Sequence, residues 1–104
     1  MSTFVLVYGG GSGMPATEEE QQAVTAAWGA WFGELGAAVT DGGNPFGPSV
    51  TVTADGEAGP GRSGLTGYSI LTAGSLAEAT AHAKGCPVLA AGGTVEVYET
   101  FDVM

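Results

Sequence analysis

Basic residues are almost missing from this chain. Arg62 and Lys84 are the only two among 104 residues, against eleven acids, and the formal net charge is −9. Holding nucleic acid by its phosphates takes several cations, so that class of function is excluded. Docking on an anionic membrane surface is excluded on the same ground. Cysteine occurs once, at Cys86, which forbids an intrachain disulfide and a multi-cysteine zinc site. A reducing, cytoplasmic setting is the expectation. His82 is the sole histidine, so no two-histidine metal motif exists. Long apolar runs are missing too. Residues 4–8 are too few for a signal peptide, and nothing approaches the roughly 20 apolar residues of a spanning helix. No metal or cofactor is expected.

What is present suffices for one modest core. Hydrophobic residues make up 44% and mean hydropathy is +0.22, values of a folding chain. A chain of this length buries roughly two-thirds of its unfolded surface, so residues 1–104 read as one domain. Charged residues are only 12%, against a usual share of about 25%.

Periodicity and punctuation place the elements. Residues 4–8 (Phe-Val-Leu-Val-Tyr) are apolar on both faces and read as a central strand, followed by a glycine-rich loop over 9–15. Thr17 with Glu20 forms a capping box, and Glu18, Glu19 and Glu20 complement the helix dipole. The helix runs over Glu18–Leu35. Val24, Trp28, Trp31 and Leu35 form its apolar stripe, and Gly36 stops it. Ala26, Gly29 and Gly33 make the opposite face unusually smooth. Residues 37–40 read as a short strand. Residues 50–54 alternate as a half-buried strand, with Asp55-Gly56 as a hairpin turn. Residues 65–72 form a further strand, with Tyr68, Ile70 and Thr72 on one face and Gly67, Ser69 and Leu71 on the other. Ser75 with Glu78 opens a second helix to about Lys84, with Leu76, Ala79, Thr80 and Ala83 inward. Residues 94–100 form the last strand, with Val95 and Val97 opposite Thr94, Glu96 and Tyr98.

The resulting β-α-β-β-β-α-β order is an α+β, ferredoxin-like split βαβ plan with an antiparallel sheet and helices on one face. The first strand is apolar on both faces, Phe4, Leu6 and Tyr8 on one and Val5 and Val7 on the other, and Tyr68 and Ile70 add more apolar surface, so the uncovered face is apolar. A bare apolar face is a liability, and a homodimer with two sheets facing each other relieves it.

The run Leu65-Thr66-Gly67-Tyr68-Ser69-Ile70-Leu71, with Ser75-Leu76-Ala77-Glu78-Ala79, Lys84-Gly85-Cys86-Pro87 and Gly92-Gly93-Thr94-Val95-Glu96-Val97, resembles the YCII-related family, also called DGPF-domain proteins. The resemblance covers nearly the whole chain and is weakest over 41–64. It implies a dimeric α/β barrel. Some members resemble barrel enzymes acting on small lactones or aromatic catabolites, and some are bacterial partners of sigma factors. A His–Asp site proposed for some members has no counterpart here. Gly59-Pro60-Gly61-Arg62 stands where the DGPF tetrapeptide would be, and Thr25 lies near where some members carry a histidine.

Few residues offer chemistry. His82 lies one turn after Glu78 and reads as a solvated pair. Cys86 follows a helix end and reads as a packing thiol. Residues 9–13 lack the lysine and glycine order of a phosphate loop, and three carboxylates follow them. Glu96 points away from the helices, into the space between facing sheets, where a carboxylate is a site candidate. Arg62 suits an anionic group. The expected function is binding of a small molecule, enzyme-like in character, in a cleft lined by Glu96, Tyr98, Tyr8, Tyr68 and Arg62. The alternative is a non-catalytic accessory module of a transcription regulator, using the acidic exterior and the Ala26/Gly29/Gly33 face.

Overall fold

The computed structural model describes residues 1–10, 17–61 and 64–103. In chain order these form β1 (Ser2–Gly10), α1 (Glu18–Leu35), β2 (Val39–Asp41), β3 (Val52–Thr53), β4 (Gly56–Glu57), β5 (Leu65–Ala73), α2 (Leu76–Ala83), α3 (Pro87–Ala90) and β6 (Gly93–Glu99). The architecture is α+β. Four strands make an antiparallel sheet in the order β2-β5-β1-β6, and β3 and β4 form a separate two-stranded sheet.

Register shows which residues share a face. Leu6 lies between Ser69 and Val97, and Tyr8 lies between Gly67 and Val95. This face carries the core. Phe4, Leu6, Tyr8, Leu71 and Ala73 are buried there with Trp31 of α1, Ala79 and Ala83 of α2, and Cys86. On the other face, Val7 lies between Tyr68 and Glu96, and Val5 lies between Ile70 and Tyr98. No helix belongs to that side among the described residues. The molecule is accordingly a slab of 46 × 37 × 19 Å, with a radius of gyration of 15.2 Å, above the roughly 13 Å of a compact chain of this length.

Both helix N-caps form as the sequence requires. Thr17 Oγ1 accepts the Glu20 N–H at 3.1 Å, and Ser75 Oγ accepts the Glu78 N–H at 3.1 Å. Glu78 Oε2 then reaches back to the Gly74 N–H at 2.8 Å. Helix α1 ends at Gly36, which takes φ +55° and donates its N–H to the Phe32 carbonyl.

Several expectations change. Residues 50–54 are not a half-buried strand of the main sheet. Only Val52–Thr53 pairs, with Gly56–Glu57, and Val52 is 71% exposed. The hairpin closes on its nearest partner, between loops rich in glycine and proline. Its turn sits at Ala54-Asp55, one residue earlier than expected. Residues 36–38 form a 3-10 turn, not a strand. Val24 and Leu76, expected inward, are 44% and 47% exposed, and Thr80 is exposed as well. Every residue of α1 from Glu18 to Ala27 is exposed to some degree, and the helix reaches the core only through its C-terminal half. The helix α3 was not expected. The loop over 9–15 lies mostly outside the described residues.

Two glycines give opposite tests. A Cβ on Gly29 meets nothing within 4 Å, so Gly29→Ala removes only the helical glycine penalty of about 0.8–1 kcal/mol. Its melting temperature should rise by about 4–8 °C. Gly43 has φ +76°, and a Cβ there lands on the Tyr68 carbonyl. Gly43→Ala should destabilise by about 2 kcal/mol or more. Thermal unfolding of both variants checks the two signs; equal shifts would contradict the packing described.

Candidate functional site

Tyr8 stands at the centre of the covered face. Its ring meets Trp28 edge-on at a centroid distance of 5.0 Å and Trp31 at 6.4 Å. Trp28 and Trp31 lie 5.7 Å apart, and Phe32 follows Trp31 at 5.0 Å. These aromatic residues come from adjacent turns of α1, which lays one aromatic patch over β1. The Trp31 indole N–H donates to the His82 carbonyl at 3.0 Å, tying α1 to α2.

The polar end of Tyr8 is fixed by a relay. Its hydroxyl donates to Ser69 Oγ at 2.6 Å, and Ser69 donates to the Gly42 carbonyl at 2.6 Å. Ser69 is fully buried, so both bonds are needed to offset its desolvation.

Beyond β2 the chain continues along β5. The Tyr68 N–H donates to the Asn44 carbonyl at 3.3 Å, and the Phe46 N–H donates to the Thr66 carbonyl at 2.8 Å. The close approach needs Gly67, since a Cβ there would sit 3.1 Å from the Asn44 oxygen and 3.3 Å from Pro45 Cα. The β1–β5 register also slips here. Tyr8 faces Gly67 but Gly9 faces Leu65, leaving Thr66 as the extra residue of a bulge. Bulges re-aim side chains at strand ends.

Between α1, the sheet and this segment lies a cleft of about 320 Å³, bordered by Tyr8, Trp28, Phe32, residues 42–45 and residues 66–68. That volume is within the range of small-molecule pockets, at its lower end. Among the described residues, no carboxylate, lysine, arginine or histidine borders it. Burial pushes the Tyr8 phenol up to about 12, only partly opposed by its bond to Ser69. The described border of the cleft is therefore uncharged at neutral pH.

The expected site residues are not all brought together. Tyr8 and Tyr68 both border the cleft, but the Tyr68 side chain belongs to the other face of the sheet, in register with Val7, and its ring stacks on Phe46 at 5.9 Å. Glu96 and Tyr98 lie on the opposite face of the sheet, beside Val7 and Val5. There the Tyr98 hydroxyl donates to Glu96 Oε1 at 2.7 Å. Arg62 lies outside the described residues. Trp28, Phe32 and the 42–45 segment were missed as lining. The aromatic spacing on α1 was legible, but it fits core and cleft equally well.

The other reactive groups are quiet. His82 Nε2 lies 3.8 Å from Glu78 Oε1 on the surface. Cys86 precedes α3 instead of merely trailing α2, yet burial pushes its thiol up to about 11, against a weaker lowering by the Val88 N–H. Among the described residues, no three of His, Cys, Asp or Glu gather as metal ligands. No helix among them is long and apolar enough to cross a membrane.

Comparison with family models, curated proteins and solved structures finds no match.

The two raised pKa values give a signed pH dependence. Cys86 and Tyr8 ordinarily titrate at 9.0 and 10.0, and the fold raises them to about 11 and about 12. Above the ordinary values the unfolded chain has released protons that the folded chain still holds. Stability from these groups is thus complete below pH 9 and is lost as pH rises through 9–12. The urea midpoint should fall over that range. Cys86→Ala should flatten the lower part of the fall and Tyr8→Phe the upper part. A profile identical in both variants would assign the loss elsewhere.

Proposed function

We propose that this chain is a small-molecule-binding protein whose ligand is a neutral, flat, largely apolar ring held between α1 and the sheet. The observation that carries this reading is the aromatic cleft of about 320 Å³ with no charged side chain among the described residues on its border. A charged ligand entering it would lose hydration without gaining an ionic partner. A flat ring finds the faces and edges of Tyr8, Trp28 and Phe32. The cleft offers binding rather than chemistry: Tyr8 is too weak an acid to act as a base at neutral pH, and Cys86 is equally poorly ionised.

The proposed framework is the ferredoxin-like split βαβ. Setting aside the β3–β4 hairpin and the single-turn helix α3, the succession is β-α-β-β-α-β with sheet order β2-β5-β1-β6, which supports it. The YCII-related resemblance implies the same plan, and we propose that family for the chain. A homodimer joined through the bare sheet face completes the reading. Its support is the row of Val5, Val7, Ile70, Tyr68 and Tyr98 on one uncovered face. The two copies would each carry −9, so association should strengthen as salt screens their repulsion. A free, buried Cys86 fits a reducing cytoplasm.

A second reading has one observation in its favour. The first half of α1, from Glu18 to Ala27, is exposed all round, and nothing lies within 4 Å of a Cβ on Gly29 or Gly33. An accessory module of a transcription regulator would use this face. Gly29→Ala would then stabilise the isolated chain yet weaken the partner.

Two measurements test the main reading. Neutral rings such as indole or phenol should change tryptophan emission saturably, through Trp28, whereas benzoate should not. A ring at 100 times its Kd adds about 2.7 kcal/mol to the folded state, a rise of about ten degrees or more in melting temperature. Saturation by none of these rings would overturn the cleft. In sedimentation, the wild type should be dimeric and Val5→Glu monomeric with its fold intact. A monomeric wild type at high micromolar concentration would overturn the dimer.

A further inference from the structure

The hydrogen-bond relay beneath the cleft has a direction that cannot be reversed. It ends on the Gly42 carbonyl, which has no hydrogen to give. Ser69 must therefore donate to Gly42, and Tyr8 must donate to Ser69. The single phenolic hydrogen is committed inward, and the oxygen of Tyr8 retains only acceptor capacity.

The backbone around the cleft is similarly short of free donors. The Gly43 N–H is held by Asp41 Oδ1 at 2.8 Å. The Tyr68 N–H is held by the Asn44 carbonyl. Asn44 and Thr66 carry polar side chains, but both residues are exposed and stand at the mouth, where water competes. Tyr8 borders the cleft and is only 5% exposed, and its hydroxyl leads through Ser69 to Gly42, which borders the cleft as well; that route directs its oxygen toward the inner end.

We infer that the cleft selects, among flat neutral rings, those that carry a hydrogen-bond donor, of the phenol or indole N–H type, over rings whose polar atom only accepts. This rests on the cleft being the binding site. An acceptor-only ring puts a lone pair against the lone pairs of Tyr8 and leaves both unsatisfied, a large loss away from water. A donor-bearing ring extends the relay to ligand→Tyr8→Ser69→Gly42, in which each bond polarises the next.

The test is calorimetric titration of matched probes: phenol against anisole, and indole against 1-methylindole. The wild type should bind the donor-bearing member of each pair at least fivefold tighter. Tyr8→Phe removes the oxygen and should bring each pair within twofold while still binding both. Ser69→Ala frees the phenolic hydrogen to turn outward, and should raise anisole affinity relative to phenol. Equal affinity within the pairs for the wild type would overturn the inference and leave the cleft standing. A preference that survives Tyr8→Phe would also overturn it, by placing the discrimination elsewhere. If no probe of either kind binds, the cleft reading itself fails and the inference falls with it.

Discussion

The contact between Tyr8 and the tryptophans of α1 is the constraint on which the rest depends. Helix α1 has eighteen residues, yet only Trp28, Trp31, Phe32 and Leu35 reach the core cluster. Edge-to-face aromatic pairs add about 0.5–1.5 kcal/mol each beyond the area they bury, and Tyr8 makes two of them. Its hydroxyl meanwhile holds Ser69, and through Ser69 the Gly42 carbonyl. One side chain thus ties together the helix, two central strands and the segment leaving β2. The cleft is the space left where these parts converge without filling.

That arrangement explains why glycine is needed at its edge. The segment after β2 must come within hydrogen-bonding distance of β5 to cover the Tyr8–Ser69 relay. Gly43 makes the approach with a left-handed backbone, and Gly67 leaves room on β5. Larger residues would push the segment outward, expose the relay to water and open the cleft. The same Ser69 that is costly to bury gives the core its one polar fixed point, a common use of a fully satisfied buried network.

Much of the fold was legible in the sequence, for local reasons. N-caps at Thr17 and Ser75 concern three or four residues each, and both formed. Alternation in β1, β5 and β6 correctly sorted Phe4 from Val5, Ser69 from Tyr68 and Val97 from Glu96, because a strand has only two faces. Periodicity does not say what lies opposite a face. Val24 and Leu76 had the right spacing for a core yet remain 44% and 47% exposed, since no neighbour comes down on them. Val52 had the alternation of a sheet strand and took the nearest partner instead. The bulge at Thr66 depends on long-range fit and leaves no local mark, whereas the helix after Cys86 has one, Pro87 at its first position, which also reads as the break that ends α2.

The candidate site divided for the same reason. Tyr8, Tyr68, Glu96 and Tyr98 all belong to adjacent strands, so sequence reasoning placed them together. The pleat separates them: Tyr8 points to the helices, while Glu96 and Tyr98 bond each other on the far side. The two faces consequently differ in chemistry. The covered face pairs an uncharged aromatic cleft with a phenol that burial keeps protonated. The bare face presents valine and isoleucine beside a carboxylate already engaged by a tyrosine. A second sheet packing on that face would meet a Glu96 carboxylate that already holds one donor, though its charge would still have to stay at the wet edge of the contact. The ligand binding proposed on one side and the self-association proposed on the other would therefore be separable on this sheet, since alternate side chains of β1 belong to opposite faces.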